Sequence, residues 1–124
     1  MAERYSSFNQ SGSLWFLQRV TAALLIFLLA FHFFQLHFVQ HAADITFAGT
    51  QARMERPVYY ATMVLFLVTA TFHGVNGVYN ALLNQGLDGK AKIAVKWLLI
   101  VAGLALIIQG IRVANVMAGV EIIL

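Results

Sequence analysis

The sequence predicts an all-α integral membrane protein with three transmembrane helices, one domain over residues 1–124 that forms part of a larger anchor bundle. Three observations carry this expectation. The chain is 60% hydrophobic and only 10% charged, too little charge to cover a water-soluble domain of 124 residues. Its apolar residues fall in three runs, each long enough to cross about 30 Å of hydrocarbon at about 1.5 Å per helical residue. Most of its charges and its single proline are gathered outside those runs.

The opening segment MAERYSSFNQSGS is polar, and the apolar run after it is too long for a signal-peptide core, so it reads as part of the mature protein. The first span is expected over about 15–39. The following HAADITFAGTQARMERP carries Asp44, Arg53, Glu55 and Arg56 and leaves the bilayer, its middle expected as a short interfacial helix. Pro57 suits the first turn of the next helix, where its missing N–H has no intrahelical partner anyway. The second span is expected over about 58–83. NQGLDGK is a turn, with Gly86 and Gly89 tolerating positive φ and Lys90 and Lys92 at the water boundary. The third span is expected over about 93–117; Gly103 and Gly110 share one of its faces, which reads as a packing seam.

Trp15, Tyr59, Tyr60 and Trp97 fall near span ends, where amphipathic rings anchor at the headgroups. Arg4, Arg19, Lys90, Lys92 and Lys96 lie on one side of the membrane, against Arg53, Arg56 and Arg112 on the other. The positive-inside rule then places the N-terminus in the cytoplasm and the chain in the cell membrane. The net charge of +3 forms no basic stripe, so no nucleic-acid partner is expected. With no cysteine, the chain supplies no disulfide, thiolate metal site or iron–sulfur ligand of its own.

Polar groups inside a span are costly without a partner, so they point to function. His32 and His37 lie in the outer half of the first span and His73 in the second, with His41 already outside. A neutral imidazole there is either hydrogen-bonded to a neighbouring helix or bound to a metal, most often heme iron. Asn76, Asn80 and Asn84 continue a polar stripe on the helix face of His73. Gly77 within the stripe, Gly74 beside the histidine and Thr69 one turn earlier would form a groove admitting a flat porphyrin to the backbone. The alternative is a small-residue seam with asparagines as interhelical glue.

Counted along the helices, His32 and His73 differ in depth by on the order of 15 Å, too much to share one iron in an upright porphyrin. Any hemes would therefore number two, each completed by a histidine from a partner membrane subunit. His37 points about 140° from His32 and, with His41, reads as interfacial. Arg19, in a run with Trp15, Gln18 and Thr21, would hold a heme propionate or a quinone carbonyl, or act as a snorkelling anchor. Arg112 poses the same alternatives at the outer face.

At SLWFLQRVTAALLIFLLAFHFFQLHF and TFHGVNGVYNALLNQGL the chain resembles the small cytochrome b anchor subunits of succinate dehydrogenase and fumarate reductase, over its first two spans. HGVNGVY is similar to the family's His-x-x-x-Gly-x-Tyr, with His73, Gly77 and Tyr79, and His32 in FHFFQLHF occupies the first-helix ligand position. QRVTA resembles the quinone-side start of the first anchor helix, which gives Arg19, with Ser11, Ser13, Trp15 and Gln18, a quinone role. Where single-heme relatives carry Asp-Tyr after the second-span histidine, this chain has Asn84 and Gln85, so no quinone contact carries over to that loop. The resemblance implies a complex of flavoprotein, iron–sulfur protein and two membrane anchors, passing electrons from succinate to quinone. It further implies two b-type hemes, the one at His73 nearer the iron–sulfur subunit and the one at His32 farther out, with His37, Asn76 and Asn80 in their surroundings. Two other readings stand beside it. One is a cofactor-free transmembrane scaffold; the other is a small proton-conducting bundle, against which the spans offer no carboxylate and no internal repeat.

Overall fold

The computed structural model describes residues 11–120, all helix and connection. Arg4 and the first part of the N-terminal segment lie outside the described residues. Helix α1 spans Gly12–Phe34 and continues as a single π-turn over Gln35–Val39. A 3-10 turn at Ala42–Asp44 and a short helix α2, Phe47–Met54, lead into α3, Pro57–Asn84, and α4, Gly89–Met117. Among the described residues three segments are long and apolar enough to cross a membrane: Gly12–Val39, Pro57–Asn84 and Gly89–Met117.

Each span begins earlier than its apolar run. Backbone hydrogen bonding, rather than hydropathy, decides where a helix starts. Pro57 opens α3 in the first turn, where its ring fits and no N–H is lost. α4 opens at Gly89, directly after Asp88, so Lys90 and Lys92 are helical rather than in the turn. Gly86 and Gly89 have φ of +94° and +53°, conformations that a side chain would strain. At α2 the Thr46 side chain accepts from the Gly49 N–H at 3.0 Å and caps the helix.

α3 is the central helix, packed against both α1 and α4, and α2 contacts both α3 and α4. Small residues let α3 and α4 approach closely: a Cβ on Gly103 would lie 2.9 Å from Val75 Cγ2, and one on Gly110 would lie 2.5 Å from Leu67 Cδ2. The sequence-predicted seam is thus occupied by α3 side chains. Tyr60 donates its hydroxyl proton to Asn115 Oδ1 at the end of this contact away from the α3–α4 turn. Asn115 is buried, a polar anchor that the packing reading of the third span did not contain. Against α1, α3 places Tyr59 by Phe31 and Phe66 by His32, with ring centroids 6.3 and 5.8 Å apart. Many large apolar side chains, such as Phe27 and Val58, are exposed on the outside of the three helices.

Candidate functional site

Toward the end of the α1–α3 contact that lies by the α3–α4 turn, Thr21 and Gln18 of α1 meet His73 of α3. Thr21 is 8% exposed. A threonine inside a helix bonds back to a carbonyl one turn earlier. Its hydroxyl lies 2.8 Å from the Leu17 carbonyl and 3.1 Å from that of Gln18, so its single proton is committed there. The same oxygen lies 3.0 Å from His73 Nδ1, and with its proton spent it can only accept. This network assigns the imidazole proton to Nδ1.

Gln18 leads independently to the same tautomer. Its amide nitrogen sits 3.2 Å from the His73 carbonyl, an acceptor, and its Oε1 accepts from Asn76 Nδ2 at 2.7 Å. Both contacts fix the amide with its NH2 toward His73. That NH2 stands 3.4 Å from His73 Nε2, which must then present a lone pair. The contact is long for a hydrogen bond and weak. Asn80 in turn donates to the Asn76 carbonyl at 2.5 Å, so the polar stripe is tied into α3 itself.

His73 lines a cleft of about 770 Å³ between α1, α3 and the start of α4. Trp15, Gln18 and Arg19 form one wall; Asn76, Gly77 and Asn80 form the floor; Lys92 and Lys96 stand on the opposite wall. A Cβ on Gly77 would come 3.2 Å from Gln18 Nε2, so its bare backbone leaves the amide its place. Gly74 is exposed, with nothing within 4 Å of a Cβ built there, and Thr69 is buried. The Arg19 guanidinium lies 5.2 Å from the centre of the Trp15 ring, a cation–π contact at the cleft wall. Ser11 lines the cleft, whereas Ser13 is not among the lining residues and bonds to Ser11 at 3.3 Å.

His32 and His37 are not in this cleft. His32 faces α3 at Phe66, seven residues before His73 and so about 10 Å away along the helix axis. Its Nδ1 is buried without a partner. His37 is exposed on the π-turn, donating from Nδ1 to the Phe33 carbonyl at 3.0 Å and stacking on the Phe33 ring at 4.1 Å. Farther out, Arg53 is buried and donates to Gln40 and, at 2.9 Å, to Thr50. The roles of Thr21 toward His73 and of Lys92 and Lys96 at the cleft escaped the sequence reading. Thr21 and Gln18 share a helix side, but which residue faces them depends on the register between α1 and α3.

A three-span helical anchor, open on one side of a histidine-bearing cleft near one membrane face, is the class these features define. The chain belongs to the family of succinate dehydrogenase/fumarate reductase transmembrane subunits, whose family model matches residues 2–109. It is 31% identical over 97 residues to a succinate dehydrogenase hydrophobic membrane anchor subunit of Archaeoglobus fulgidus, covering 78% of this chain and 82% of that one. It is 27% identical over 115 residues to the subunit of the same name from Thermoplasma acidophilum, covering 93% and 89%. No solved structure matches it significantly. The chain is thus a multi-pass membrane anchor subunit that works in association with the other subunits of its complex.

Proposed function

We propose that this anchor binds b-type heme and carries electrons between an iron–sulfur partner subunit and quinone. The observation that supports this most is the state of His73: Nδ1 held as a donor, Nε2 bearing its lone pair, and the residue on the wall of a roomy cleft. A histidine ligand is oriented in this way, by a hydrogen bond from its other ring nitrogen. The residues therefore fit a heme. Bound heme supplies a one-electron iron couple. His73 would hold iron on the iron–sulfur side and His32 on the outer side, with Gly77, Asn76 and Asn80 lining the inner site and His37 near the outer one. Arg19 and Lys96, with Trp15, Gln18, Ser11 and Ser13 nearby, would bind propionates or a quinone head group.

This reading requires a second membrane anchor to supply the remaining axial ligands, and flavoprotein and iron–sulfur subunits on the side of the N-terminus. That side is the cytoplasmic face of the cell membrane by the positive-inside argument. One observation favours a cofactor-free scaffold instead: the Gln18 amide already stands 3.4 Å from Nε2. Reduced-minus-oxidised optical spectra of the purified complex separate the two. The heme reading expects two b-type hemes in the wild type, one lost in His73→Ala and the other in His32→Ala. Full heme in both variants, or none in the wild type, would sink it.

A further inference from the structure

We infer that Thr21 is the positioning residue of the inner heme, its side-chain oxygen holding the Nδ1–H of His73 and so setting both the ring orientation and the electron donation of Nε2. This inference rests on the proposed heme at His73. Three features of Thr21 carry it. Its oxygen is buried within the α1–α3 contact, 3.0 Å from Nδ1. Its own proton is spent on the Leu17 carbonyl at 2.8 Å, which makes the oxygen an acceptor toward the histidine. It also belongs to a different helix from the histidine, so the ring is braced from across the contact rather than by its own backbone.

The two ring nitrogens are held unequally. The bond from Nδ1 to Thr21 is 3.0 Å, while the amide of Gln18 stands 3.4 Å from Nε2. A ligand arriving at Nε2 displaces the weaker contact and leaves the stronger one in place. Gln18 can release Nε2 while remaining tied to the His73 carbonyl and to Asn76. An acceptor on Nδ1–H makes the imidazole a stronger donor, and a stronger donor favours ferric over ferrous iron. Removing the acceptor therefore raises the midpoint potential of that heme and weakens its retention. Among the described residues His32 has no such brace, since its Nδ1 is buried without a partner. The effect is confined to one of the two hemes.

The test is a redox titration, followed optically, of the intact complex carrying Thr21→Val, which keeps the shape and removes the acceptor, beside Thr21→Ser, which restores a hydroxyl. The expected result is a change of about tenfold in the reduction equilibrium of the His73 heme, a rise of about 59 mV, in the valine variant only. The His32 heme stays at its wild-type potential in both. Loss of the His73 heme alone in the valine variant, with retention in the serine variant, supports the same conclusion. If valine prevents assembly, Thr21→Ala gives the reading in its place. Both hemes at wild-type potential in the valine or alanine variant overturns the role of Thr21. Should the wild-type complex hold no heme, or His73→Ala remove none, it is the heme reading that fails, and both results are read before any Thr21 variant is made.

Discussion

Gly103 and Gly110 share a helix face but stand against different neighbours, which gives a prediction at the scale of single residues. A Cβ on Gly103 meets Val75 Cγ2 at 2.9 Å, and valine in a helix is stiff about χ1. A Cβ on Gly110 comes closer, 2.5 Å from Leu67 Cδ2 and 3.0 Å from Cδ1, but these are the end of a side chain that is not branched at Cβ and can swing away as a whole. Gly103→Ala should therefore destabilise the α3–α4 contact by about 1–3 kcal/mol, and Gly110→Ala by clearly less. Thermal denaturation of the purified complex checks this, and the reverse order would mean that distance outweighs side-chain stiffness. The seam itself was legible in the sequence, because small residues at helical spacing need no knowledge of the partner helix. The stripe of His73, Asn76 and Asn80 was legible for the same reason, and these residues do meet in the cleft. The brace from Thr21 was not, since it depends on the register of α1 against α3, which no single-helix pattern encodes.

At the scale of elements, polar contacts fasten the outer ends of the helices. Tyr60 of α3 donates to Asn115 of α4, and Asn115 is only 5% exposed. Tyr60→Phe leaves that carbonyl oxygen buried without its donor and should cost about 1–2 kcal/mol. In a double-mutant cycle with Asn115→Leu, the loss of Tyr60 should cost almost nothing once the asparagine is gone; additive effects would count against the bond. The second fastening is Arg53 of α2, which reaches Gln40 just beyond the π-turn as well as Thr50 on its own helix. Arg53→Leu should speed hydrogen exchange in residues 41–54 while leaving α3 and α4 protected. Unchanged exchange there would show that apolar packing alone seats α2. The π-turn at Gln35–Val39, closed by Gln40 N–H on the Gln35 carbonyl at 3.1 Å, had no signal in the sequence. Neither glycine nor proline marks it, and a single wider turn leaves the apolar pattern of the span unbroken.

For the whole molecule, the deciding feature is how little of it is covered by itself. α1 and α4 pack mainly on α3 and leave most of their apolar surface outward, so the chain is one part of a bundle rather than a closed body. The cleft at His73 opens near the α3–α4 turn, together with Arg19, Lys92 and Lys96, and therefore faces whichever compartment holds that turn. Orientation in the membrane thus decides which soluble partner can reach the cleft, and it can be measured cleanly because the chain contains no cysteine. Single substitutions Gln85→Cys, in the α3–α4 turn, and Ala43→Cys, in the connection before α2, mark the two faces. With a membrane-impermeant maleimide on intact cells, Ala43→Cys should be labelled and Gln85→Cys should stay protected until the membrane is opened. The opposite pattern would put the cleft on the outer face, where an electron donor from the cytoplasm has no access to it. The five-to-three distribution of basic residues would then be outweighed by the partner subunits that insert with this chain.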